Sequence, residues 1–271
     1  MIKFTAKEDG KLKKMLMQES NLGFSTVNKK LREKQVMLNG YRVSQDVDVM
    51  LGDEIIMFAK AAEFNFKIAY EDENVMVAIK PKGIETPEFE IKIFETKGIF
   101  AKAMHRLDRN TEGLVLFAKT KEVQEELRAE LNEHRVVKFY HAFVFGRPYK
   151  KAQLNSYLKK NSEASTVMIF DKKVAGSTPI ETEYSFLDKN GEISRLEVIL
   201  REGGKTHQIR AHLAYFKLPI VGDRKYGNSD LNKKYKKTKQ ELYAVKLEFN
   251  LEGKLSYLNK KKIEYLDYKK I

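Results

Sequence analysis

The stretch GLVLFAKTKEVQEELRAELNEHRVVKFYHAFVFG, residues 113–146, decides the fold class. Its opening, Gly113 to Ala118, is a nearly continuous apolar run that reads as a short buried strand. Thr120 then stands where a helix N-cap belongs, and Val123, Leu127 and Leu131 recur every fourth residue in a helix reaching about His134. From Val136 to Gly146 the period drops to two. Lys138 and Tyr140 fall on one face of a strand, with Phe139, His141 and Phe143 on the other.

The same texture extends outward. Upstream, Ile68 to Lys80 reads as strand, turn and strand, broken by Pro81 and Gly83. Downstream, Tyr184–Leu187 and Ile193–Leu200 form a hairpin around Asn190-Gly191, and Leu242–Phe249 is a further strand. A helix runs from Thr206 to about Phe216, ended by Pro219, and the lysine-rich run from Asn232 to Lys239 reads as a basic loop.

Residues 11–60 have a different pattern. Leu12, Met15 and Leu16 share one side of a short helix, with Lys11, Lys13 and Lys14 on the other. A second helix follows Phe24, capped by Ser25 or Thr26 and carrying Val27, Lys30 and Leu31. Two short strands flank Asn39-Gly40, whose residues accept the positive φ of a tight hairpin, and the run from Val49 to Phe58 adds a turn and a last strand. The break at Ala61-Ala62-Glu63 divides the chain into domains 1–61 and 62–271.

Composition bounds the partners. A chain of 271 residues, 42% apolar and 11% aromatic, has ample material for a core, which excludes wholesale disorder. Lysine and arginine number 51 against 38 acids, a net charge of +13 that argues for a polyanionic partner, nucleic acid or an anionic membrane surface, with a solubilising lysine-rich surface as the plain alternative. The absence of cysteine excludes disulfides, zinc-thiolate sites and a catalytic thiol, and fits a cytoplasmic protein. The N-terminal residues are too charged for a signal peptide, and no apolar run is long enough to span a membrane.

Two segments carry chemistry. The first, His105-Arg-Leu-Asp-Arg-Asn-Thr-Glu-Gly-Leu114, places Asp108 between arginines just ahead of the apolar strand; a structural salt bridge closing a loop is the plain alternative. The second, Gly203-Gly-Lys-Thr-His-Gln-Ile-Arg-Ala-His-Leu213, feeds glycines into a helix whose N-terminal amides could receive an anion. His207 and His212 are five apart, one more than a helical metal pair requires, and the spacing of a nucleotide-binding phosphate loop is absent; no metal site is expected.

Together with Glu71-Asp-Glu-Asn-Val-Met-Val-Ala-Ile-Lys-Pro-Lys-Gly83, Lys138-Phe-Tyr-His-Ala-Phe-Val-Phe-Gly146 and Leu218-Pro-Ile-Val-Gly-Asp-Arg-Lys-Tyr-Gly227, these segments resemble the RluA family of RNA pseudouridine synthases in order and interval. Residues 11–60 resemble the S-four-type RNA-binding module named for a ribosomal protein. Glu112, where that family commonly has serine, and a compressed segment between Pro87 and Ala103 depart from the pattern.

The resemblance implies an α+β fold, a mixed and largely antiparallel sheet with a central cleft, plus a small N-terminal α+β RNA-binding domain. It implies isomerisation of specific uridines to pseudouridine in structured RNA, with large-subunit ribosomal RNA favoured over transfer RNA. Asp108 takes the position of the catalytic aspartate, Tyr140 that of the tyrosine stacking on the base, and Arg210 that of the arginine pairing with the carboxylate. Arg106 is expected to contact the flipped RNA, and Lys13, Lys14, Lys29, Lys30 and Arg32 to bind its backbone. The reaction transfers no electrons and no external group, so no cofactor is expected; nor is a membrane or an obligate protein partner. The rival readings are an RNA-binding assembly factor without turnover, which would have lost Asp108, Tyr140 or Arg210, and a glycosidase, which needs a second carboxylate.

Overall fold

A computed structural model of the chain describes residues 2–20, 22–58, 64–161, 163–201 and 204–268; the expected boundary at Ala61–Glu63 lies outside them. The chain divides into two compact units, Met1–Asn65 with Lys92–Gly98, and Phe66–Ile91 with Ile99–Ile271.

The first unit contains strands β1 (Ile2–Thr5) and β2 (Gly10–Lys11), helices α1 (Leu12–Ser20) and α2 (Phe24–Arg32), and strands β3 (Val36–Leu38), β4 (Tyr41–Val43), β5 (Asp48–Val49) and β6 (Glu54–Met57). A four-stranded antiparallel sheet in the order β1-β6-β3-β4 backs the two helices. Leu12, Met15 and Leu16 of α1 meet Val27 and Leu31 of α2 over Val36, Ile55 and Met57, the apolar stripes that the helical spacing implied. Asn39 and Gly40 take φ of 50° and 84°, the hairpin geometry anticipated for that dipeptide.

The cap of α2 differs from expectation. The extended residue before the helix is Gly23, whose carbonyl accepts from the Val27 amide at 3.1 Å, and no side chain caps. Ser25 and Thr26 already lie in the first turn, because the exposed Phe24 begins the helix.

The second unit begins with β7 (Ile68–Glu71) and β8 (Val75–Lys80), then α3 (Thr86–Lys97), whose residues from Lys92 onward belong to the first unit, β9 (Lys102–Ala103), β10 (Glu112–Ala118), α4 (Lys121–Asn132) and β11 (Val136–Phe145). It continues with β12 (Lys151–Asn161), β13 (Thr166–Phe170), β14 (Thr178–Asn190), β15 (Ile193–Leu200), α5 (Gln208–Tyr215), α6 (Ser229–Lys234), β16 (Leu242–Phe249), a 3-10 helix (Gly253–Lys260) and β17 (Ile263–Glu264). The described residues build an eleven-stranded sheet along the path β13-β12-β14-β15-β11-β16-β10-β8-β7, with β17 beside β16 and β9 beside β10. Its pairings are antiparallel except β10 with β16. The α+β class is thus that of a large mixed, mostly antiparallel sheet, as expected.

That parallel contact dictates one residue. Gly113 has φ of 128°, and a Cβ there would sit 2.1 Å from the Ala244 carbonyl, so only glycine lets the strands approach. Thr120 caps α4 as anticipated, accepting from the Val123 amide at 3.2 Å. Leu127 is fully buried in the core cluster that also holds Leu114, Leu116 and Phe143, a side chain contributing roughly 1.5–3 kcal/mol.

Three other expectations shift. The hairpin between β14 and β15 turns at Gly191-Glu192, since Asn190 still pairs with Ile193, and β14 starts as early as Thr178. Helix α5 starts at Gln208 rather than Thr206, because His207 adopts the left-handed region with φ of 55°. The basic run after Asn232 begins inside α6, which Asn228 caps through the amides of Asp230 and Leu231.

Candidate active site

Asp108 sits on a loop, Met104 to Thr111, that the surrounding backbone grips on both sides. The Thr86 hydroxyl accepts from the Leu107 amide at 3.0 Å and donates to the Leu107 carbonyl at 3.2 Å. The Arg109 carbonyl accepts from the Gly83 amide at 2.8 Å and from Lys80 Nζ at 3.2 Å. Lys80 is fully buried and also donates to the carbonyls of Pro81 and Ile84, both at 2.8 Å. Burial holds this amine down at about 8, partly offset by the charge of Asp108. Gln240 closes the far end by donating to the Thr111 hydroxyl at 2.9 Å. A carboxylate on such a loop has its position set before any ligand arrives.

Arg210 projects from α5 to meet it. One guanidinium nitrogen, Nη1, donates to Asp108 Oδ2 at 2.8 Å. The opposite edge is held by Asp223, with Nε to Oδ2 at 2.6 Å and Nη2 to Oδ1 at 2.9 Å, the two-toothed fit that arginine makes with carboxylates. Burial alone would lower the Arg210 pKa, but the pairs with Asp223 and Asp108 outweigh it and raise it. The same exchange, burial outweighed by Arg210, leaves the Asp223 carboxyl below its usual range. Asp223 itself is fixed by accepting from the amides of Lys225 and Tyr226. Gly222 lets the chain turn there: its φ is 72°, and a Cβ would collide with the Lys239 carbonyl at 1.9 Å. Asp108 Oδ1 has no hydrogen-bond partner among the described residues, and the residue lines the cleft.

Two cavities meet at Asp108. Tyr140 of β11, Leu200 and Leu242 line one, together with Thr111, Lys205 and Thr206. The other, about 600 Å³, is lined by Lys82, Arg109, Arg224, Lys225 and Lys239. Arg106, Leu107, Asp108, His207 and Arg210 line both. Tyr140 is buried, and desolvation together with the Asp108 charge pushes its phenol up, so it stays protonated at neutral pH. Lys138 lies on the same strand face with only 4% exposure and makes no hydrogen bond or ion pair among the described residues; desolvation holds its amine down at about 8. The structure therefore brings Asp108, Tyr140, Arg210 and Arg106 together around one cleft, from three separate stretches of sequence.

Sequence comparison reads the same cleft from outside. The RNA pseudouridylate synthase family model matches residues 56–215. The chain belongs to that family. A ribosomal large subunit pseudouridine synthase C from Rickettsia felis is 30% identical over 237 residues, covering 76% of this chain and 77% of the relative. One of the same designation from Vibrio cholerae is 28% identical over 239 residues, covering 78% and 74%. Among solved structures, human RNA Pseudouridylate Synthase Domain Containing 1 shares the fold with a TM-score of 0.63 and 21% identity, over 77% of this chain and 85% of that one.

The chain is accordingly an RNA pseudouridine synthase: it breaks the C–N glycosidic bond of a uridine and rejoins the same sugar through C5. Several residues of the synthase that sequence reasoning left without a role belong to this site. Asp223 lies within one of the motifs, yet nothing local to it reveals that it holds Arg210 from behind. It is a second carboxylate, but its side chain is fully buried and committed to the guanidinium, so it does not face the cleft as a glycosidase acid would. Glu112, where serine is common, accepts from the Tyr265 hydroxyl on β10's flank. The expected anion site at the start of α5 is altered too: Gln208–Leu213 are buried, and the Gln208 amide donates to the Lys205 carbonyl at 3.0 Å. His212 is buried against the Thr182 hydroxyl at 2.9 Å, and no cluster of potential metal ligands occurs among the described residues.

On the first unit of the synthase, Lys14, Lys29 and Arg32 have their side chains toward solvent. Lys13 is half-buried, its Nζ lying 5.3 Å from the Phe24 ring centroid. Lys30 departs from the expectation of a phosphate-binding cation. Its Nζ turns inward to the Phe58 carbonyl and to Gln35 Oε1 at 3.2 Å, and burial lowers its pKa. No helix among the described residues is long and apolar enough to cross a membrane.

Proposed function

We propose that Asp108 acts on the target ribose and its glycosidic bond, that Arg210 orients and balances the carboxylate, and that Tyr140 stacks on the uracil as it detaches and turns. The observation that supports this most strongly is the Asp108–Arg210–Asp223 chain: one oxygen of Asp108 is tied down and the other is free. A free, oriented carboxylate oxygen can add to C1′, stabilise a cationic sugar, or take a ribose proton. The neutral phenol of Tyr140 offers a face for the base and a hydroxyl near the hydrogen that leaves C5. Arg106, exposed at the cleft mouth, contacts the displaced strand as the base leaves its stack.

The substrate is structured RNA, and the relatives named for the large ribosomal subunit support large-subunit ribosomal RNA as its source. Residues 1–61 serve as an S-four-type RNA-binding domain, with Lys13, Lys14, Lys29 and Arg32 as its cations, ahead of a catalytic domain at 62–271. Action on ribosomal RNA implies a cytoplasmic enzyme. The test is to map pseudouridines in the ribosomal and transfer RNA of cells lacking this gene and of the parent. Loss of one or more sites in large-subunit RNA, restored by the wild-type gene and not by Asp108→Asn, is expected. An unchanged ribosomal map with a lost transfer-RNA site would replace the substrate assignment.

A further inference from the structure

His207 occupies an uncommon position for its chemistry. It is not glycine, yet its φ is 55°, a conformation that costs an ordinary residue of order 1 kcal/mol and that marks functional sites when the surroundings enforce it. Here α5 begins immediately after it, with the Ala211 amide donating to the His207 carbonyl at 3.0 Å, so the turn and the helix fix the ring's direction.

Nδ1 lies 2.9 Å from the Tyr226 hydroxyl, which also accepts from the Val167 amide at 2.8 Å. Assigning that hydroxyl as the donor to Nδ1 leaves the ring hydrogen on Nε2. Nε2 has no partner among the described residues, and the residue lines both cavities that meet at Asp108. Burial, together with Arg210 and Lys225, keeps the ring neutral against the opposing pull of Asp108 and Asp223.

The two cavities differ in a way that matches a nucleotide. The one that contains Tyr140, Leu200 and Leu242 suits a base stacked on the phenol, and the one lined by Lys82, Arg109, Arg224, Lys225 and Lys239 suits phosphates. The seam between them is where the sugar must lie, beside Asp108. A phosphate in the groove would meet charged donors such as Arg109, Arg224 and Lys225. A sugar hydroxyl at the seam meets a neutral N–H instead. We propose that His207 is a substrate-contacting residue that reads the 2′-hydroxyl of the target ribose, donating from Nε2 to O2′. This rests on the reading of Asp108 as the group acting on that sugar.

The test is a cycle in single-turnover kinetics. Wild type, His207→Phe and His207→Ala are each given a minimal RNA substrate carrying either uridine or 2′-deoxyuridine at the target position. The intrinsic effect of removing the hydroxyl on sugar chemistry is common to every enzyme and cancels. Wild type should prefer the ribose, and the variants should slow the ribose substrate about tenfold while changing the deoxyribose substrate less than about threefold, the size of one neutral hydrogen bond. Tyr226→Phe, which removes the proton donor to Nδ1, should weaken the preference by a smaller factor. Equal slowing of both substrates by either folded variant would overturn the assignment and leave His207 as a purely structural residue. The reading of Asp108 stands or falls separately, on whether Asp108→Asn retains turnover of the ribose substrate.

Discussion

The cleft around Asp108 and the basic face of the first unit use the same side-chain chemistry to opposite ends. Behind and beside the cleft, Arg210, Asp223, Lys80 and Lys138 are at most 8% exposed, and all but Lys138 are held by named partners. On the first unit, Lys14, Lys29 and Arg32 point to solvent. A desolvated, tethered charge has fixed direction and strong local effect, whereas a solvated one contributes an undirected attraction that salt screens. The first arrangement suits making and breaking bonds at one sugar; the second suits holding a long polyanion. If this division holds, substitutions in the cleft change turnover far more than affinity, and substitutions on the first unit do the reverse.

The sharpest way to break the contrast is Asp108→Asn. Removing the free carboxylate oxygen should lower pseudouridine formation by about a thousandfold or more, while Kd for the RNA changes only a few-fold, because phosphate contacts supply most of the binding. Measurable turnover by the purified variant on an RNA that the parent modifies would defeat the assignment.

Asp223→Asn probes the layer behind. It leaves Arg210 with one good partner in place of two, so Asp108 loses its fixed orientation without losing its charge. Turnover should fall tenfold to a hundredfold at unchanged Kd, and melting should show a loss of roughly 3–5 kcal/mol for breaking a buried pair. Arg210→Ala should slow turnover at least as much, because it unties Asp108 outright. Parental rates from Arg210→Ala at every pH would dissolve the pair.

What the sequence conceals follows one physical rule. Asp108, Tyr140 and Arg210 can be named because each sits in a motif that resembles the synthase family's, and strands such as β16 are legible because their period is carried by adjacent residues. Asp223 behind Arg210, Lys80 beneath the Asp108 loop and Thr86 clasping Leu107 depend on partners far along the chain, and no local pattern encodes them. Helix α3 has no clear signature although Phe89 and Ile93 are both fully buried four residues apart, because the rest of its surface is weakly amphipathic. Lys30 shows the same limit in the other direction: helical spacing places it beside Lys29, but only the fold reveals the carbonyl of Phe58 that draws it inward.

Lys138 sharpens the cleft's side of the contrast through stability. Its amine titrates at about 8 in the folded protein, below the roughly 10.4 of an unfolded lysine. The folded state therefore binds its proton less tightly, and below pH 8 it carries the full cost of a buried ammonium. That cost shrinks as the pH rises through the folded value and disappears above the unfolded one. Lys138→Met should thus stabilise the protein by roughly 3 kcal/mol near pH 7, with the gain fading between about pH 8 and 10.5. Denaturant melts across that range check it; a gain that does not fade with pH would mean that Met simply packs better.

The smallest effects belong to the first unit, and they separate its cations from one another. In the full chain, replacing Lys14, Lys29 or Arg32 by Gln should leave single-turnover rates at saturating RNA unchanged and weaken binding a few-fold each. Every phosphate left without its cation should also flatten the plot of log K against log salt by roughly 0.7–0.9, because fewer counterions are released. Lys13→Gln should do the same with an added contribution from the Phe24 ring it faces. Lys30→Gln should behave differently. Its Nζ is committed to Phe58 and Gln35, so the salt slope should hold while stability drops by about 1 kcal/mol for the missing hydrogen bonds. Equal salt slopes for the parent and the Lys14, Lys29 and Arg32 variants would make that face a solubilising surface. A slope change from Lys30→Gln alone would mean that RNA pulls this lysine out of its inward position.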